Sequence, residues 1–129
     1  MTPEQKIKRQ ILLIERRYNP GVTDATITVD NVDALFEEHD SLQDAIEEFR
    51  SSGIETSLPD QQWSRHYEYE SVARQVCDGS WVGWTYFHGG GKHGEPEAID
   101  WMDSAYEVNC VSEERLVIVN TFSITAETK

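Results

Sequence analysis

Ser80–Glu97 reads SWVGWTYFHGGGKHGEPE, and the rest of the chain is best understood outward from it. Trp81, Trp84, Tyr86 and Phe87 fall within seven residues and run straight into Gly89, Gly90 and Gly91. Aromatic residues at this density favour a pleated, half-buried surface, so Trp81–His88 is expected to be a strand. Its alternation puts Val82, Trp84, Tyr86 and His88 on one face and Trp81, Gly83, Thr85 and Phe87 on the other. Gly83 in mid-strand marks a bulge or a neighbour crossing closely. The glycine run after it needs backbone freedom that other residues lack.

Cys77-Asp78-Gly79-Ser80, just upstream, is a hairpin signal that joins this strand to a preceding one over Tyr67–Val76. Downstream, Pro96 opens a short helical turn through Ile99, Trp101 and Met102. Two further strands are expected, Ser104–Val111 and Leu116–Ile124, separated by the turn Ser112–Arg115. In the last of these, Leu116, Ile118, Phe122 and Ile124 share one face and Val117, Val119 and Thr121 the other.

The first half reads as helix. Thr2-Pro3-Glu4-Gln5 combines an N-cap, a proline at the first helical position and the residue that closes a capping box. Ile7, Ile11, Ile14 and Tyr18 follow at helical spacing, Leu12 and Leu13 widen the stripe, and Asn19-Pro20-Gly21 ends it. Ala25–Val29 is either a short strand or an extended lead-in to a helical region capped by Asp30. There Val32, Leu35, Phe36, Leu42, Ile46 and Phe49 form the apolar stripe. A fresh start near His39–Ser41 would divide the region into two helices. Ser51-Ser52-Gly53 closes it, and Gly53–Ser64 is a loop. Helices followed by strands give an α+β domain. One domain of 129 residues is expected, helical over 1–53 and strand-rich over 65–125. Its N-terminal helices should pack on one face of a four-stranded antiparallel meander.

Charge is the strongest global signal, at a net −13. It is unevenly placed. Residues 1–17 hold Lys6, Lys8, Arg9, Arg16 and Arg17 against Glu4 and Glu15, a net +3, which leaves −16 for the remainder. From Asp24 to Asp60 there are eleven acidic residues and one basic residue, Arg50. Such a field repels nucleic acid and anionic membrane surfaces and attracts basic proteins. Asp33, Glu37, Asp40, Asp44 and Glu47 are spaced four, three, four and three. On one continuous helix this lays a carboxylate about every 5 Å along one face, with Glu38 and Glu48 beside the row. Like charges at this spacing destabilise an isolated helix by a few tenths of a kcal/mol per pair. A partner that uses them would explain why the chain tolerates them, though an ordinary solvated helix face would look the same.

No stretch reaches the length of a membrane span, and MTPEQKIKRQ has no apolar secretion core, so a cytoplasmic protein is expected. Cys77 and Cys110 are too few for a disulfide scaffold and match no zinc spacing. The glycine loop with Lys92 suggests an anion cradle. The phosphate-loop pattern, however, asks for Ser or Thr after the lysine, where His93 stands. His88, His93 and Glu95, with Glu97, have donor types that suit a metal but no standard spacing. Ser80 and Ser104 lack the nucleophile-elbow motif.

Two functional expectations follow. The first is a small acidic, non-catalytic binding or inhibitor protein with no cofactor. Its partner would be a basic, nucleic-acid-binding protein, met by a carboxylate ridge of Asp33, Glu37, Asp40, Asp44 and Glu47, with Lys92 and His93 on a second contact loop. Carboxylates in a row can stand in for the charge of a nucleic-acid backbone. Inhibitors encoded by phage or mobile elements have this build, which is an argument by analogy. The alternative is a metal- or anion-dependent enzyme or ligand-binding domain centred on His88–Glu97.

Overall fold

The computed structural model describes residues 1–20, 26–39, 41–90, 94–114 and 118–124. Helix α1 spans Pro3–Tyr18, α2 Val32–Glu38 and α3 Gln43–Arg50. The strands are β1 (Ile54–Glu55), β2 (Glu68–Gln75), β3 (Trp81–His88) and β4 (Tyr106–Val108), with one 3₁₀ turn at Pro96–Ala98. The four strands form an antiparallel meander in the order β1-β2-β3-β4, and the helices pack against the sheet.

Helix α1 begins where its local chemistry places it. Thr2 Oγ1 accepts from the Gln5 amide at 3.2 Å and Gln5 Oε1 accepts from the Thr2 amide at 2.9 Å, a complete capping box. Ile7, Ile11, Leu12 and Ile14 are buried. Tyr18, expected on the same stripe, is instead 68% exposed and donates to Glu48. At the helix end it has already passed the edge of the core.

The second helical region divides after Glu38, and α3 starts at Gln43. Asp30 does not cap α2. Asn31 occupies that position, and its side chain bridges the Thr28 amide and the Thr26 carbonyl instead. Residues 26–29 form no strand. Val32, Leu42 and Phe49 enter the core, while Leu35, Phe36 and Ile46 pack against its margin.

The centre of the core is aromatic. Trp84 is fully buried, with its rings 4.8 Å from Phe49 and 5.8 Å from Trp101. Its indole N–H donates to the Arg50 carbonyl at 3.2 Å, which satisfies one of the carbonyls that a helix end leaves open. The pairing Val72↔Trp84 and Arg74↔Val82 puts the predicted face of β3 toward the helices. Trp81, on the other face, stays partly exposed.

Gly83 lies opposite Tyr106, whose ring crosses directly over it. A Cβ at Gly83 would sit 2.6 Å from that ring and 2.9 Å from Val108. Gly83→Ala should therefore push β4 away and cost about 1–3 kcal/mol, readable in urea unfolding. An unchanged midpoint would show that the ring yields freely.

Asp78 organises the β2–β3 turn, where Gly79 takes a φ of +88°. Its carboxylate accepts from the Ser80 hydroxyl at 2.6 Å and from the Ser80 amide at 2.9 Å, and it lies 3.1 Å from Arg9. These hydrogen bonds, with the nearby cations, hold its pKa well below the usual carboxylate range. A depressed carboxylate stabilises the fold above its unfolded pKa and loses that contribution as pH falls. At neutral pH, Asp78→Asn should cost about 1 kcal/mol, discounted for solvent at this partly exposed group. That difference from the parent should narrow as pH falls below about 4. A gap that stays constant down to strong acid would overturn the assignment.

The fourth strand is not the one that alternation suggested. Among the described part of Leu116–Ile124, residues 118–124 belong to no strand, and Ile118, Val119, Phe122 and Ile124 are 81–97% exposed. The fourth place is filled from the other end by Ile54–Glu55, which pair with Ala73 and Val72. The expected strand Ser104–Val111 shortens to Tyr106–Val108. The strand-rich part thus begins at residue 54, inside the expected loop.

Candidate functional site

Five carboxylates at helical spacing make a ridge only if one helix carries them, and here two do. Asp33 and Glu37 are on α2, and Asp44 and Glu47 are on α3. Asp40 lies outside the described residues, as do Lys92 and His93. The regular 5 Å ladder presupposed one continuous helix, whereas α2 ends at Glu38 and α3 begins at Gln43.

Two of the four are engaged by the protein's own cations. Asp33 accepts from Lys8 at 3.0 Å and from Gln5 at 3.1 Å. The Lys8 bond, then the Gln5 bond, hold its carboxyl below the ordinary range. Glu47 takes a two-pronged contact from Arg50 at 2.8 and 2.9 Å. Arg50, the lone basic residue of the acidic half, is buried. It also donates to the Phe87 carbonyl at 2.6 Å and lies over the Tyr86 ring at 4.9 Å. This ties α3 to β3 and fixes where Glu47 stands.

The other two face different hollows. Asp44 lines a depression with Glu15, Tyr18 and Glu48. Glu37 and Glu47 instead border a cleft of about 390 Å³ between the α2–α3 pair and the segment after Pro96. Glu4 and Asp100 complete its acidic rim. Its apolar lining is Phe36, Ile46, Ile99, Trp101 and Met102. Lys8 is the cleft's one cation, and it is held by Glu4 at 3.5 Å and by Asp33. Glu4 is engaged by Lys8 and Glu47 by Arg50, so the rim's negative charge toward a partner comes chiefly from Glu37 and Asp100. Opposite charge at the mouth and apolar surface below suit a lysine or arginine side chain, which carries a charged head on an aliphatic stem.

Sequence reasoning selected Glu37 and Glu47 but did not group Glu4 or Asp100 with them. These sit some 33 positions before and 63 after Glu37, and no periodicity links them. The available signal was Ile99, Trp101 and Met102, an apolar group next to a carboxylate.

The alternative site at the glycine loop is partly visible. Gly89 and Gly90 adopt φ of +77° and +84°, and the Tyr67 ring packs against Gly90 so closely that a side chain there would collide. The Glu95 amide donates to the Tyr67 hydroxyl at 3.0 Å. His88 is bracketed by Glu68 and Glu70 at 3.4 and 3.3 Å and stacks on Tyr86 at 5.3 Å. Among the described residues no group of three or more His, Cys, Asp or Glu is placed to hold a metal ion. Cys77 and Cys110 are both exposed and free.

Comparison with protein-family models, curated proteins and solved structures finds no match to this chain.

Proposed function

We propose that this is a small, non-catalytic binding protein that takes up a basic segment of a protein partner in the acid-rimmed cleft between α2–α3 and residues 96–102. The observation that carries the reading is the pairing of Glu4, Glu37, Glu47 and Asp100 with an apolar lining that includes Phe36 and Trp101. Carboxylates alone would be a solvated surface. Carboxylates over an aromatic floor can hold both the charge and the stem of an arginine or lysine.

The partner class in keeping with this is a nucleic-acid-binding protein, whose phosphate-contacting cations meet a net charge of −13. An inhibitor acting in this way would occupy the surface that the partner uses for nucleic acid. Two free cysteines accord with a reducing, cytoplasmic setting. No described helix is long and apolar enough to cross a membrane.

The test is a pull-down from lysate with the full chain at low and at high salt, beside the double variant Glu37→Lys/Asp100→Lys. A basic protein should be retained by the parent at low salt, released at high salt and lost from the variant. Retention that ignores both salt and the variant would sink the reading. Stoichiometric metal in the purified protein would favour the glycine-loop alternative instead.

A further inference from the structure

Ile118, Val119, Phe122 and Ile124 are each more than four-fifths exposed, and Val111 is 89% exposed. Large apolar side chains exposed this fully within one short segment are candidates for a contact surface. Residues 118–124, IVNTFSI, carry no charge in a chain whose net is −13. Their β-branched and aromatic residues favour a strand, yet they belong to none here.

The same molecule presents a matching acceptor. Among the described residues, β4 has β3 as its one strand neighbour, so its outer edge is open. Next to it, on the sheet face away from the helices, is an apolar groove of about 320 Å³ lined by Ile54, Leu58, Trp81 and Val108 among others. An edge strand with unpaired backbone beside bare apolar surface is a template for another strand.

We propose that two copies of this chain exchange their 118–124 arms, each arm adding a strand at the partner's β4 edge and laying Ile118, Phe122 and Ile124 over Trp81 and Val108. The areas are of the right size. Ile118, Phe122 and Ile124 share one face of such a strand and together expose roughly 300 Å² of apolar surface, and each arm covers a similar area of its acceptor. Two exchanges then bury on the order of 1,200 Å², the lower end of the range for a specific stable interface. Exchange also pairs the backbone of the arm, which a purely apolar contact would leave unsatisfied. The arm is uncharged, so the mutual repulsion of two acidic bodies is the term that opposes assembly. Salt should therefore strengthen this dimer, the reverse of its effect on a basic partner.

The experiment is sedimentation of the full chain under reducing conditions over a concentration series, at low and high salt, beside Ile118→Asp/Phe122→Asp. The parent should reach twice 14.8 kDa, at lower concentration when salt is high. The variant should raise the dissociation constant at least about 100-fold, while its unfolding midpoint as a monomer stays that of the parent. Hydrogen exchange at 118–124 should slow as concentration rises. A parent that stays monomeric throughout would overturn the proposal, as would a dimer indifferent to the variant. Protection of these amides in the monomer would equally overturn it, because the arm would then be covered by its own chain.

Discussion

Trp84→Ala should remove about 3–5 kcal/mol of stability, the largest loss expected from any single substitution in this protein. Trp84 is fully buried and touches elements from both halves of the chain: Phe49 of α3 and Trp101 of the segment after Pro96. Truncation leaves a cavity with helix, strand and loop on its sides, and these cannot all collapse together. It also strips the Arg50 carbonyl of its indole donor, a cost beyond the lost apolar contact. Native domains have only about 5–15 kcal/mol to lose, so the variant should be substantially unfolded at modest urea. Trp63→Ala serves as the control. Trp63 is 68% exposed with Arg65 over its ring, and its removal should change stability by no more than about 0.5 kcal/mol. Circular dichroism in a urea series reads both. A loss of under about 1 kcal/mol at Trp84 would mean that the core is not centred on this residue.

Glu37→Lys with Asp100→Lys should weaken capture of a cationic peptide by about 10–100-fold while leaving the fold intact. Both side chains are at exposed positions on the cleft rim, and neither is tied to another element by an ion pair among the described residues. The substitution changes the rim's charge by four units, and each unit of favourable interaction at a partly screened site is worth a fraction of a kcal/mol to about 1 kcal/mol. Glu47 is a poorer choice, because reversing it would also release Arg50 from its carboxylate and disturb the α3–β3 junction. An oligoarginine peptide is a sufficient probe, with intrinsic tryptophan fluorescence, to which Trp101 at the cleft contributes, as the readout. Parent binding should fall steeply between about 50 mM and 500 mM salt, where the screening length shrinks from about 14 Å to 4 Å. Equal affinity of parent and variant for the peptide would remove the cleft from consideration.

The proposed cleft and the proposed arm are separated by their response to salt. Weakened capture of cations with strengthened self-association is the joint expectation, and either can fail without the other. The two surfaces lie on opposite sides of the sheet, the cleft beside the helices and the groove on the far face.

Legibility from sequence was high where the causes are local. The capping box of α1 depends on two residues three positions apart, Thr2 and Gln5, and it formed as read. The limits of β3 and the division of its faces also came through, because alternation is a property of a single strand. Gly83 read as either a bulge or a close crossing; the structure shows the crossing and supplies the crossing residue, Tyr106.

The charged face was legible as composition but not as geometry. Spacing can place Asp33, Glu37, Asp44 and Glu47 on a line only if one helix carries them, and α2 ends at Glu38 while α3 starts at Gln43. Nor can spacing reveal that Lys8, 25 residues earlier, would reach Asp33, or that Arg50 would turn inward and bring Glu47 with it.

By itself the chain's sequence determined the α+β class, the cap and core stripe of α1, the central aromatic strand with its turn, and the excess of negative charge. Each of these follows from interactions within a few residues or from a plain count. The tertiary structure alone decided which segment became the fourth strand, which carboxylates met in one cleft and which were tied up by cations. A sheet edge has one place on each side, and which segment takes it depends on the packing around it rather than on strand propensity. Ile54–Glu55 follows α3 directly and is carried to the edge of β2, whereas 118–124 lies beyond β4 with its apolar side chains still facing solvent.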